Sequence, residues 1–122
     1  MAYSVLVVDQ HPVVLAHWIA PLRYAGYDVE ATTSFAEARQ RLALQPPNLL
    51  IASSRLGGFN GMHLVLCGHV ARPGMSAIVT TRARDPFLEA EASAFGASCV
   101  VAPENHVEAL ALVSRAFSSR PM

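Results

Sequence analysis

Five times along this chain a short apolar run closes on a few polar residues and is followed by a segment of helical length. That alternation restricts the fold more than any other feature of the sequence. Val5-Leu6-Val7-Val8 is the first run, ended by Asp9-Gln10-His11-Pro12. Proline there suits the first turn of a helix, where its missing N–H would have had no partner. Val14, Trp18, Leu22 and Ala25 recur at helical spacing up to Gly26, read as the C-terminal cap. Pro21 is expected to kink or tighten the last turn. Tyr27 to Ala31 reads as a second strand. Ser34, with Glu37 three residues on, makes a capping box for a helix over Phe35 to Leu44.

Pro46-Pro47 stops that helix, and Leu49-Leu50-Ile51-Ala52 has the unbroken apolar character of a strand covered on both faces. Gly57-Gly58-Phe59-Asn60-Gly61 reads as a loop before a third helix from Met62 to Val70, ended near Pro73-Gly74. Ala77 to Thr80 is the fourth strand, and Asp85-Pro86 opens a fourth helix reaching Phe95, with Gly96 as its cap. Cys99-Val100-Val101 is the fifth strand. Glu104 to Phe117 is the fifth helix, before a polar tail over residues 118–122. With right-handed crossovers this (βα)5 order gives a doubly wound α/β fold, a parallel sheet with helices on both faces. No repeat or linker interrupts it, so residues 1–122 are drawn as one domain.

The inventory of charged residues removes several chemistries. Acids and bases balance at nine each, so the chain lacks the basic footprint of a nucleic-acid binder and the polybasic segment of a membrane-surface protein. All nine bases are arginine, which leaves no lysine for a P-loop or a Schiff base. With 52% hydrophobic and 15% charged residues, the chain is not disordered. Cys67 and Cys99 are too few for a disulfide framework or a zinc cluster and read as small buried apolar residues. The five histidines show no metal-ligand spacing, so no metal site is expected. Met1-Ala2-Tyr3-Ser4 lacks the basic start of a signal peptide, and no stretch has membrane-spanning character. A cytoplasmic, reduced setting is the expectation.

In open α/β sheets the site lies beyond the carboxyl ends of the strands. Here those ends carry Asp9-Gln10-His11, Ser53-Ser54-Arg55, Thr81-Arg82 and Ala102-Pro103. Ser53, with Asp9 and His11 near the same end, invites a hydrolase reading. No G-x-S-x-G elbow surrounds the serine, however, and His11 is expected to lead away into the first helix. No catalytic residue is assigned. Asp9 stands beside Arg55 and Arg82, so either one guanidinium pairs with it or both arginines face solvent.

Several segments together resemble the response-regulator receiver domain (CheY-like) across nearly the whole chain. They are Val-Leu-Val-Val-Asp at 5–9, Ala-Gly-Tyr-Asp-Val at 25–29, and the stretch from Pro47 to Gly61. That stretch, Pro-Asn-Leu-Leu-Ile-Ala-Ser-Ser-Arg-Leu-Gly-Gly-Phe-Asn-Gly, follows the family's P-D-L-I-L-L-D-x-x-M-P-G-M-D-G pattern step for step. Thr81 after the fourth strand, Gly96-Ala97 and Pro103 complete it. The resemblance implies a five-stranded parallel sheet of order 2-1-3-4-5, as in flavodoxin and CheY.

It also implies a chemistry that these residues do not supply. A receiver carries a phosphoacceptor Asp after its third strand, an acidic pair that holds magnesium after its first, and a Lys before the last proline. The matching positions here are Ser53, Asp9-Gln10 and Ala102, the last on allowing one deletion just after Gly96. Aspartyl phosphate forms by attack of a carboxylate with Mg²⁺ neutralising charge, and Mg²⁺ wants carboxylate ligands. The expectation is therefore a degenerate pseudo-receiver that is not phosphorylated, with Mg²⁺ binding weak or absent and no cofactor. Asp9, Gln10, Ser53, Arg55, Thr81, Arg82 and Ala102 would line its altered crevice.

Such a chain is expected to work by protein–protein interaction in two-component signalling, docking on a histidine kinase, a phosphotransfer protein or a response regulator. Leu15 and Ile19 are expected to project from the first helix away from its core stripe, and Leu112 to broaden an apolar surface on the last. On that last helix Val107, Leu110, Ala111, Ser114 and Phe117 are expected to face the sheet. A homodimer through the fourth helix, fifth strand and fifth helix is the family's usual arrangement. The alternative is a pseudo-receiver whose crevice senses a small anion or metabolite.

Overall fold

Five strands lie side by side in the computed structural model, which describes residues 2–118. They are β1 (Ser4–Val8), β2 (Asp28–Thr32), β3 (Leu49–Ser53), β6 (Ser76–Thr81) and β7 (Ser98–Val101). All neighbouring pairs are parallel, in the order β2-β1-β3-β6-β7. This is the expected 2-1-3-4-5 arrangement, with two further strands in between. Those two, β4 (Arg55–Leu56) and β5 (Phe59–Asn60), form a small antiparallel hairpin where a plain loop was expected. Gly57-Gly58 makes its turn, and buried Leu56 anchors it to the core. Two-residue strands are too short to leave an alternation that a sequence reading can detect.

The helices α1 (Pro12–Tyr24), α2 (Phe35–Leu44), α3 (Met62–Ala71), α4 (Pro86–Ala94) and α5 (His106–Ser118) begin and end largely where the cap residues indicate. Ser34 Oγ accepts the Glu37 N–H at 3.1 Å, and Asp85 Oδ1 accepts the Leu88 N–H at 3.1 Å. Gly26 and Gly96 follow α1 and α4 with φ of +95° and +77°, the left-handed conformation that suits glycine at a helix end. Helix α1 continues past Pro21 for one turn and tightens there, with Gly26 N–H bonded to the Arg23 carbonyl. α5 starts two residues later than expected, because Asn105 Oδ1 accepts the Glu108 N–H at 2.8 Å and so caps it. The polar tail beyond Ser118 lies outside the described residues.

The sheet separates two apolar layers. On one side α2, α3 and α4 pack Ala38, Leu42, Leu64, Val65 and Ala92 against Leu6, Leu50 and Val79. On the other, α1 and α5 pack Trp18, Leu22, Ala109 and Val113 against Val5, Leu49, Ile51 and Ile78. Each fully buried Leu or Ile side chain contributes roughly 1.5–3 kcal/mol, which makes the central strands the main source of stability.

Two helix faces differ from the expectation. Leu15 is only 8% exposed and belongs to the core stripe with Trp18 and Leu22, while Val14 and Ile19 flank it half-buried. A helix held against both the sheet and α5 buries a stripe wider than one i,i+4 row, so an apolar residue beside that row is covered rather than presented. Leu15 and Ile19 therefore form no projecting patch. On α5 the buried positions are Ala109, Val113 and Ala116, whereas Val107 is 79% exposed and Ala111 and Ser114 face outward. Small side chains at 109 and 116 let α5 approach α1 closely, which turns the helix away from the expected face. Leu112 is half-buried against this layer and does not stand out from the surface.

Candidate functional site

Parallel strands end together, so the loops after β1, β3, β6 and β7 meet at one end of the sheet. A crevice of about 490 Å³ opens there. Asp9, Gln10, Ser53, Arg55, Thr81, Arg82 and Ala102 all line it. His11, Ser54, Thr80 and Asp85 line it as well.

Asp9 is 5% exposed, and its Oδ1 accepts the His11 N–H at 2.9 Å in an Asx turn that leads into α1. It forms no ion pair among the described residues, whose salt bridges are Arg41 with Glu30 and Glu37, and Arg84 with Glu89. Of the two alternatives, the pairing with Arg55 or Arg82 is not made. Arg82 instead places Nη2 3.2 Å from His11 Nε2, and Arg55 is exposed on β4. His11 is the residue the sequence reading misdirected. As the residue before Pro12 it is extended, with φ −102° and ψ 113°, and this turns its ring back over the crevice rather than along the helix.

Ser53 ends β3 with its hydroxyl occupied locally. Oγ accepts the Arg55 N–H at 3.3 Å and donates to the Arg55 carbonyl at 3.0 Å, closing a tight turn. No base approaches it. The backbone behind it is pinned, with Ser54 N–H bonded to Thr80 O at 2.9 Å and Gly61 N–H to Ser54 O at 3.1 Å. Thr81 and Ala102 lie side by side, half-buried, with Ala102 N–H bonded to Thr81 O at 3.0 Å. Gln10 reaches across the mouth, where its Oε1 accepts the Gly57 N–H at 2.8 Å. No group of three or more His, Cys, Asp or Glu side chains that could hold a metal occurs among the described residues. Nor is any of their helices long and apolar enough to cross a membrane.

The fold has clear counterparts among known proteins. The family model described as the response regulator receiver domain matches residues 5–113. The chain belongs to the response-regulator receiver family. Among solved structures, a CheY-like receiver domain protein from Methanospirillum hungatei superposes with a TM-score of 0.85 at 23% identity, covering 97% of this chain and 95% of its own. The chemotaxis response regulator CheY4 of Vibrio cholerae gives 0.85 at 22% identity, covering 95% and 99%. A putative response regulator from Chloroflexus aurantiacus gives 0.83 at 24% identity, covering 97% and 99%. At these identities the likeness to solved structures speaks for the fold. No curated protein matches the sequence. As a receiver, the chain is a module of two-component signalling, a family whose members engage kinases, phosphotransfer proteins or other response regulators.

Cys99 lies half-buried on β7 and does not line the crevice. Burial pushes the Cys99 thiol above its ordinary value, with Glu89 and then Asp85 adding to the effect. The thiol is thereby kept protonated and poorly nucleophilic.

Proposed function

We propose that this receiver is degenerate and acts by phosphorylation-independent docking on a histidine kinase, a phosphotransfer protein or a response regulator. The observation that carries the reading is Ser53. It stands where the family's resemblance pattern has the phosphoacceptor Asp, and its hydroxyl is spent on the Arg55 backbone. Asp9 is the one acid after β1, where Gln10 follows in place of a second; the crevice's other carboxylate, Asp85, caps α4 by accepting the Leu88 N–H, and the chain contains no lysine. Phosphoryl transfer to a side chain needs a nucleophile, a neutralising cation and an oriented counter-charge. All three are weakened at once, so Mg²⁺ binding is weak or absent and no cofactor is used.

Exposed apolar residues favour the face of α4, β7 and α5 as the docking or dimerising surface. Phe87 on α4 is 89% exposed, Phe95 and Val101 are exposed at the end of α4 and on β7, and Val107 is exposed on α5. Exposed apolar side chains of this kind are what an interface would use. Intact mass after incubation with a small phosphodonor and Mg²⁺ tests the reading: no adduct is expected, and stoichiometric phosphate on the wild type sinks it. Partner retention on immobilised protein, lost with Phe87→Glu, tests the surface.

A second reading has its own observation, since two guanidinium groups, Arg55 and Arg82, border the same crevice. A pseudo-receiver that senses a small anion or metabolite there would show a thermal shift on ligand screening, abolished by Arg55→Ala or Arg82→Ala.

A further inference from the structure

Side chains of two adjacent residues span the crevice mouth and join three loops. Gln10 lies between β1 and α1, and its Oε1 accepts the N–H of Gly57 in the hairpin turn at 2.8 Å. Because that partner is a donor, the oxygen has to face it, and the amide nitrogen then points the other way. It lies 3.4 Å from His11 Nε2. Arg82, in the loop between β6 and α4, brings Nη2 to the same ring nitrogen at 3.2 Å. Two N–H donors meet one imidazole nitrogen only where it presents its lone pair, so Nε2 is the shared acceptor.

Two of the pieces joined in this way have an anchor of their own at one side. On the hairpin, Leu56 is buried in the core and the Phe59 ring stacks on Phe35 at 4.4 Å. His11 is fixed through its backbone N–H on Asp9. Each exposed hydrogen bond is weak by itself. Bonds that link an anchored loop to a less anchored one nevertheless pass displacement between them, and the Arg82 side chain bonds only to His11 among the described residues.

We propose that Gln10 and His11 form a latch that ties the β4–β5 hairpin to the β6–α4 loop and holds the crevice mouth in one arrangement without any modification. The inference rests on the docking reading and supplies its regulation, with a preset surface in place of a signal-driven one. A partner meeting a preset surface spends little binding free energy on ordering loops. Gln10 and His11 are positioning residues here, acting through Gly57 and Arg82.

Backbone ¹⁵N relaxation on the full chain tests the latch, comparing wild type with Gln10→Met and His11→Phe, which keep volume but remove the bonds. In the wild type, order parameters at Gly57 and Arg82 are expected near about 0.85, the rigid range. Gln10→Met should lower both towards about 0.6, although Gln10 does not touch Arg82. His11→Phe should lower Arg82 and, more weakly, Gly57, which it does not touch. Ile51 in the core should stay rigid in both variants, which separates latch loss from general loosening. Wild-type values already near about 0.6 at either position, or a missing cross-loop response, overturns the latch. A phosphate adduct in the mass assay would overturn the docking reading instead, and the relaxation result would stand on its own.

Discussion

The two ends of the parallel sheet are secured in different ways. At the end where the strands begin, one residue does much of the work, with its side chain as well as its backbone. Asn48 Oδ1 accepts Ser4 N–H at 2.8 Å and Ser4 Oγ–H at 3.1 Å, while its own N–H reaches Ser4 Oγ and O, each at 3.0 Å. Its carbonyl takes Ser76 N–H at 2.9 Å, so one residue binds β1, β3 and β6 together. At the end where the strands finish, backbone groups do it: Asp9 to Thr32, Ser54 to Thr80, Gly61 to Ser54 and Ala102 to Thr81. Strand ends held by backbone leave the side chains of Ser53 and Ala102 replaceable without loss of the sheet, while the loops beyond them are joined by the side chains of Gln10 and His11.

The sharpest way to break this contrast is at Gly61, where the crevice end depends on backbone proximity. A Cβ there would run into the Ser53 carbonyl, and a backbone atom cannot swing aside. Gly61→Ala should cost about 3 kcal/mol, the upper range for overpacking, read as a lowered denaturant midpoint. A neutral result would show that the backbone at this end yields. Next comes Asn48→Ala, which removes both side-chain bonds to Ser4. It should cost about 2 kcal/mol by thermal or chemical unfolding, and a loss below about 0.5 kcal/mol would remove the distinction between the ends.

Ser76 sharpens the contrast from the other side, since its buried Oγ has no hydrogen-bond partner among the described residues. Ser76→Ala should be stabilising by up to about 1 kcal/mol, and clear destabilisation would reveal a partner. Arg55→Ala at the crevice should change stability by less than about 0.5 kcal/mol, whereas a larger loss would give that side chain a structural duty. The smallest effect concerns Cys99. Its thiol titrates above the ordinary value of 9.0, so the folded state holds that proton more tightly than the unfolded chain does. The contribution to stability is intact below 9.0 and is lost as the pH rises above it. Alkylation near neutral pH should accordingly be slower in the folded protein than in urea, and equal rates would contradict the shift.

Much of the architecture was legible because its boundaries carry chemistry. Ser34, Asp85, Gly26 and Gly96 are cap residues whose preferences are local, and the apolar runs at 5–8 and 49–52 are typical of strands covered on both sides. The placement of the crevice residues followed from topology alone. Helix faces were less legible, because α1 and α5 are apolar around most of their circumference and the pattern cannot say which apolar residue is covered. Leu15 and Val107 exchanged roles for that reason. The extended backbone of His11 could have been read from Pro12, but its meeting with Arg82 could not, since the two are 71 residues apart and neither belongs to a motif.

The position of Trp18 has a practical consequence. It is the chain's single tryptophan, sealed in the α1–α5 layer on one side of the sheet, and it does not line the crevice. Its emission is therefore a clean optical signal of whether that layer is intact. A compound entering the crevice will leave the fluorescence unchanged unless the disturbance travels through the sheet. A spectral shift on adding a partner or ligand would accordingly report transmitted motion rather than contact.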